Sequence, residues 1–232
     1  MSTSFSRRLL LAVGLTGIFV VATGVRAAEP KPVDVSHYKD PIKLACVGDS
    51  ITEGAGASDP KRGPYPKQLA KLLGDKWDVK NFGVGGATML KSGDKPYDKQ
   101  GKYKAALEFK PDVVVLKLGT NDTKPQNWSH KDEFVASAKE IIDAFKKANP
   151  HVVIYVCYPV PAFPSNYGIR DEIIKNEVLP LLKEVAADEK TEVIDLYSAM
   201  AEHGKLFPDK VHPNDEGYGL IAAAVQKALL GK

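Results

Sequence analysis

Apolar and polar positions along this chain follow two alternating periodicities. Short apolar runs at Ile42 to Gly48, Val79 to Phe82, Asp112 to Leu118, Val152 to Tyr158 and Glu192 to Ile194 have the length and composition of buried parallel strands. Between them, apolar residues recur at three- and four-residue spacing. Phe134, Ala138, Ile141, Ile142 and Phe145 form one helical face, Ile174, Val178, Leu181, Leu182 and Val185 a second, and Leu220, Ile221, Ala224, Val225 and Ala228 a third. Pro180 falls inside the second and predicts a break or kink, because proline lacks a backbone donor and crowds the preceding turn. Five strands alternating with helices predict an α/β fold: a three-layer α/β/α sandwich around a flavodoxin-like five-stranded parallel sheet, order 2-1-3-4-5, with right-handed crossovers.

The N-terminal end departs from this pattern. Arg7 and Arg8 precede an apolar stretch from Leu9 to Ala22, and Val25-Arg26-Ala27-Ala28 supplies small residues for cleavage, so residues 1–28 are expected to be a secretory signal peptide. The stretch is short for a membrane span, which takes about 20 apolar residues, and it is interrupted by Gly14 and Gly17. Cleavage predicts a secreted or periplasmic protein without a stable membrane anchor. Residues 29–41 are polar and proline-bearing and read as a linker or surface strap, leaving residues 42–232 as one domain.

Removal of the leader changes the charge balance. The chain holds 32 basic and 29 acidic residues, and loss of Arg7, Arg8 and Arg26 leaves 29 of each. A neutral protein has no electrostatic drive toward nucleic acid or an anionic membrane. The lysine-rich stretch from Lys91 to Lys110 is interrupted by Asp94, Asp98 and Glu108 and reads as a solvated face. Cys46 and Cys157 each sit in an apolar strand pattern separated by a third strand in the expected order, so no disulfide is expected.

The chemistry concentrates where strands end. Gly48-Asp49-Ser50 follows the first strand, and residues just past the carboxyl ends of parallel strands line the ligand crevice. A serine hydroxyl attacks only when a base takes its proton. Of the five histidines, His212 has a carboxylate, Asp209, three residues before it in a proline-bounded turn. His37, His130, His151 and His203 read as surface or satisfied residues. Gly83-Val84-Gly85-Gly86-Ala87-Thr88 and Gly119-Thr120-Asn121-Asp122 supply backbone and side-chain N–H donors past two further strands.

Gly48-Asp49-Ser50, Asn81 to Thr88, Gly119 to Asp122 and Asp209-x-x-His212 together resemble the four ordered sequence blocks of the SGNH, or GDSL-type, esterases and acylhydrolases. The resemblance runs from about Ile42 to the C-terminus. It implies a Ser50, His212, Asp209 triad, an oxyanion hole of the Ser50 and Gly86 backbone N–H groups with the Asn121 amide, and no metal or organic cofactor. Gly86 is preferred over Gly83 and Gly85 because it lies two residues before Thr88. Asp49 and Asp122 are expected to tie loops together. Trp128, Tyr158, Phe163 and Tyr167, followed by Arg170, are expected to flank the cleft and suit a sugar ring. The implied reaction is hydrolysis of short-chain, acetyl-type esters on carbohydrate, with lysophospholipase or arylesterase activity as the runner-up. A metallohydrolase built on Asp49, Asn121, Asp209 and His212 lacks clustered histidines, the glycine loop lacks both phosphate-binding patterns, and a non-catalytic sugar-binding module would not need every reactive position filled.

Overall fold

The computed structural model describes residues 29–164 and 167–231; the expected leader, residues 1–28, lies outside them. Five strands form one all-parallel sheet in the order β2-β1-β3-β4-β5: β1 (Ile42–Gly48), β2 (Trp77–Gly83), β3 (Val113–Lys117), β4 (Val153–Tyr158) and β5 (Glu192–Asp195). Around them lie α1 (Ser50–Glu53), α2 (Tyr65–Leu73), α3 (Gly101–Glu108), α4 (Pro125–Trp128), α5 (Phe134–Ala148), α6 (Asp171–Ile173), α7 (Leu179–Glu189), α8 (Leu196–Met200) and α9 (Asp215–Leu230). This is the expected sheet order.

Strand side chains alternate between two cores, as the pleat requires. Ala45, Val47, Val114, Leu116, Ile154 and Val156 pack with Ala106 of α3, Ile141, Ile142 and Phe145 of α5, and Leu182 and Val185 of α7. Leu44, Cys46, Val113, Val115, Tyr155 and Cys157 pack on the other side with Tyr65 and Leu69 of α2, Leu196 and Met200 of α8, and Ile221, Val225 and Leu229 of α9. Cys46 and Cys157 are buried and unbridged. They sit two strands apart, roughly 9 to 10 Å by strand spacing and beyond disulfide reach.

Where the pattern and the structure differ, the causes are local. The proline acts one turn early: Ile174–Val178 widens into a π-turn, and Pro180 is the second residue of α7, in the first turn where a missing N–H costs little. The lysine-rich stretch contains α3 and the buried Tyr97 and Ala106, while Lys91–Glu140, Lys99–Asp98 and Lys104–Glu108 pairs decorate its outside. Residues before β1 contact the domain. The Val33 N–H donates to Leu229 O at 2.9 Å and the Tyr155 hydroxyl to Lys31 O at 2.7 Å, which closes the end of the sheet away from the strands' carboxyl termini.

Candidate active site

Three strand ends and one loop converge at the carboxyl edge of the sheet. Ser50 opens α1, where Asp49 caps the helix by accepting the Ile51 N–H at 2.9 Å. A buried cation holds that cap. Lys117 Nζ, at the end of β3, lies 3.1 and 3.0 Å from the two Asp49 carboxylate oxygens and 3.2 Å from Thr120 Oγ1, with both charged side chains fully buried. The Ser50 turn and the Asn121 loop are therefore tied through one ammonium.

The second strand end is held equally firmly. Asn81 Nδ2 donates to Thr52 O at 2.7 Å and its Oδ1 accepts the Gly83 N–H at 2.8 Å. Gly83 passes so close to α1 that a Cβ there would meet Glu53 N at 2.1 Å. Asp122, fully buried, accepts the Met89 and Leu90 N–H groups at 3.0 and 2.7 Å. Burial pushes its carboxyl up to about 6 despite these donors.

Asp209 and His212 lie in the loop between α8 and α9. Lys210 takes a left-handed conformation, φ 73°, and that turn lets Asp209 Oδ1 accept the N–H groups of Val211 and His212 at 3.0 and 2.7 Å. The other oxygen, Oδ2, lies 2.6 Å from His212 Nδ1, and His212 Nε2 lies 2.8 Å from Ser50 Oγ. Burial raises the Asp209 carboxyl, but the His212 backbone N–H, the His212 ring and the Val211 N–H outweigh it, and the net shift is below the ordinary carboxylate value. An ionised Asp209 places the imidazole proton on Nδ1 and leaves Nε2 to accept from the serine hydroxyl.

Ser50 and His212 open into a cavity of about 260 Å³ lined also by Glu53, Gly86, Asn121 and Tyr167, with Asp209 behind the imidazole. Its glycine loop distinguishes its own N–H groups. Gly83 donates to Asn81, Val84 to Gly48 O, Gly85 to Glu53 Oε2 and Ala87 to Val84 O, whereas the Gly86 N–H has no acceptor among the described residues. Asn121 Nδ2 is within 3.1 Å of Ala87 O, so the loop carries the amide toward the same cavity.

The residues expected at the site are placed differently from one another. Ser50, Asp209, His212, Gly86 and Asn121 are brought together. The aromatic cluster is not: Trp128 is buried and its Nε1 donates to Glu177, Tyr158 is fully buried, and Phe163 packs against Phe207 at 5.2 Å between centroids. Arg170 Nε turns inward to Thr123 O at 2.6 Å. Only Tyr167 of these lines the cavity, 51% exposed, with its ring edge-on to His212 at 5.6 Å and its hydroxyl 3.3 Å from Asp209 Oδ2. Large apolar rings near a loop root are worth more in the core than in solvent, which is why three of the four turned inward. Asp49 is committed to Lys117, and among the described residues no group of three or more His, Cys, Asp or Glu side chains lies together. Sequence reasoning missed Lys117 and Glu53, which carry no motif of their own.

Residues 46–220 match the model of the GDSL-like lipase/acylhydrolase family. The chain belongs to that family. Over 82% of its length it is 39% identical to an acetylxylan esterase of Xylanibacter ruminicola, and it spans 44% of that longer relative. It is also 28% identical to the YpmR protein of Bacillus subtilis, covering 95% of this chain and 92% of that one. Family members of known structure share the fold. An acetyl xylan esterase superposes with a TM-score of 0.63 at 24% identity, covering 82% of this chain and all of the other. A carbohydrate acetylesterase from Sinorhizobium meliloti gives 0.65 at 20% identity, covering 80% of this chain and 97% of the other. No helix among the described residues of this GDSL-like chain is long and apolar enough to cross a membrane.

Proposed function

We propose that this chain is a serine esterase that removes short acyl groups, acetyl above all, from carbohydrate through a covalent acyl-enzyme. The observation that carries the reading is the unbroken hydrogen-bonded series from Ser50 Oγ through His212 to Asp209, at 2.8 and 2.6 Å, opening on a cavity that also holds Asn121 and the Gly86 N–H, which has no acceptor among the described residues. His212 Nε2 takes the proton as Ser50 Oγ bonds to the ester carbonyl carbon. Asp209 holds the resulting imidazolium, and the carbonyl oxygen, now negative, lies against the N–H groups of Ser50, Gly86 and Asn121. Collapse breaks the bond to the alcohol, which leaves with the proton from His212. Water then enters and bonds to the acyl carbon as His212 takes its proton; the bond to Ser50 Oγ breaks, Oγ recovers that proton from His212, and the acid leaves.

Two features support a small acyl group on a sugar. The cavity, about 260 Å³, is at the lower limit of small-molecule sites, and among the described residues its lining combines Gly85, Gly86, Thr120 and Asn121 with only Ala55, Ile169 and Val211 as aliphatic side chains. Tyr167 offers one exposed aromatic face beside His212, the type of surface on which a sugar ring stacks. The acetylxylan esterase relative points the same way. Export through residues 1–28 is part of this proposal, and the N-terminal residue of the mature protein, read by mass spectrometry, tests it.

The reading is tested with a chain-length series of nitrophenyl esters, followed by acetylated xylan. It expects a maximum at acetate, release of acetate from the polysaccharide, and loss of nearly all rate in Ser50→Ala, because triad members act as a unit. A maximum at about eight carbons or more would refute the small acyl group, since that length needs an apolar groove several residues long.

A further inference from the structure

The Gly86 N–H is flanked by glycines, so nothing intrinsic to the chain decides which way it points. A peptide flip rotates ψ of Gly85 against φ of Gly86, and neither residue has a Cβ to oppose it. Gly86 sits at φ 79°, and a Cβ there would meet only Lys95 Cδ at 3.6 Å; at Gly85 the close neighbour is Glu53 Oε2, 2.7 Å from where a Cβ would stand, which is the acceptor of the Gly85 N–H and not a wall against the next peptide. Its orientation must come from hydrogen bonds. The Gly85 carbonyl accepts Lys95 Nζ at 2.7 Å. All described peptide bonds are trans, so a carbonyl held on one side sends the following N–H to the other. Gly85 and Gly86 line the cavity, whereas Lys95 is an exposed residue outside that lining.

Lys95 is itself anchored. Its carbonyl accepts the Thr88 N–H at 2.9 Å, the Tyr97 N–H donates to Thr88 O at 3.0 Å, and Thr88 pairs with Pro96 in a short parallel bridge. The segment carrying the lysine thus runs alongside the glycine loop in fixed register. On the other side of Gly85, its N–H donates to Glu53 Oε2 at 2.9 Å, and Glu53 closes the same helical turn that Ser50 opens. One peptide is pinned from the nucleophile's helix and the next from Lys95.

The geometry points to Lys95 as a positioning residue that locks the Gly85–Gly86 peptide with its N–H facing the cavity, so that the oxyanion donor is pre-formed before substrate arrives. This rests on the proposed reading of the site, in which the Gly86 N–H receives the developing oxyanion. Lys95 touches no reacting atom; its effect is on the fraction of molecules whose hole is complete.

The test is Lys95→Met and Lys95→Arg in the full chain, assayed on nitrophenyl acetate, a small neutral ester, with Ser50→Ala alongside. If the competent orientation falls to about one tenth of molecules, kcat of Lys95→Met falls about tenfold while KM stays within about twofold. Arginine keeps a cationic donor of sufficient reach and restores most of the rate. The Gly86 amide supplies a readout independent of turnover: exchange broadening by 15N relaxation dispersion appears in Lys95→Met and is absent from the parent. A kcat within about twofold of the parent, or a loss confined to KM, overturns the lock and leaves the Ser50 reading standing. A Ser50→Ala protein that keeps its rate overturns that reading and the lock with it.

Discussion

Lys117→Met is the most informative single perturbation of the scaffold beneath Ser50. The substitution keeps most of the aliphatic volume but deletes the ammonium that lies 3.1 and 3.0 Å from the two Asp49 oxygens, in a pair with no solvent exposure. Removing one partner of a buried pair leaves an uncompensated charge, and such losses run to about 3 to 5 kcal/mol. For a domain of this size that is a fall in Tm of roughly 6 to 20 °C. Asp49→Asn in the same background removes the stranded charge while Asn still caps the Ile51 N–H, so the double variant should recover most of the loss. Guanidinium denaturation of the parent, both single variants and the double variant closes the cycle, and an interaction energy of at least about 2 kcal/mol is expected. Because the same ammonium ties Asp49 to Thr120, kcat of the single variant, measured well below its Tm, should fall by about tenfold or more as Ser50 and Asn121 lose their mutual registration. A cycle energy below about 1 kcal/mol would refute the claim that this ion pair organises the site.

Asn121→Ala should cost about 2.7 to 4 kcal/mol in transition-state stabilisation, read as a fall in kcat with an intact far-ultraviolet spectrum, and a loss below about fivefold would mean the oxyanion is held elsewhere. The stability difference between Asp122→Asn and the parent should change with pH, because burial raises the Asp122 carboxyl from 3.8 to about 6. Below the unfolded value both states hold the proton; as pH rises toward 6 the unfolded chain releases it first, so the parent loses up to about 3 kcal/mol relative to the variant between pH 4 and 7. A difference that is flat across that window would contradict the raised carboxyl. Cys46 and Cys157 should both alkylate in denaturant without reductant and stay protected in the native state, where burial pushes the Cys46 thiol up to about 12 and raises Cys157 as well.

The fold and the site differ in how much of each was legible in the sequence. The three helical faces and five apolar runs are local patterns, and they predicted the parallel sheet and its order because alternating strands and helices leave few packings that bury both faces of a sheet. Strand ends shifted by a residue or two, as at Trp77–Gly83, since hydrogen-bond pairing with the neighbouring strand sets them. The helices Tyr65–Leu73 and Gly101–Glu108 went unread; their faces are short and interrupted by lysines. The blocks carrying Ser50, Gly86, Asn121, Asp209 and His212 stand out because each sits in a contiguous motif at a strand end or tight turn.

What only the tertiary structure decided depends on contacts between residues far apart in the chain. Nothing near Lys117 in sequence says that its charge is buried against Asp49, 68 positions away. Among Gly83, Gly85 and Gly86, the choice of the available N–H follows from which acceptors the fold delivers: Asn81 to Gly83, Glu53 to Gly85, and none among the described residues to Gly86. The aromatic loops made the same point in reverse, for an interleaved run of rings and prolines is compatible with a cleft wall or a core layer. Packing against Phe134, Phe207 and Glu177 sent Trp128 and Phe163 inward and left Tyr167 beside His212. Residue chemistry is carried by the sequence alone, while the dielectric and the partner that each group meets are properties of the folded whole.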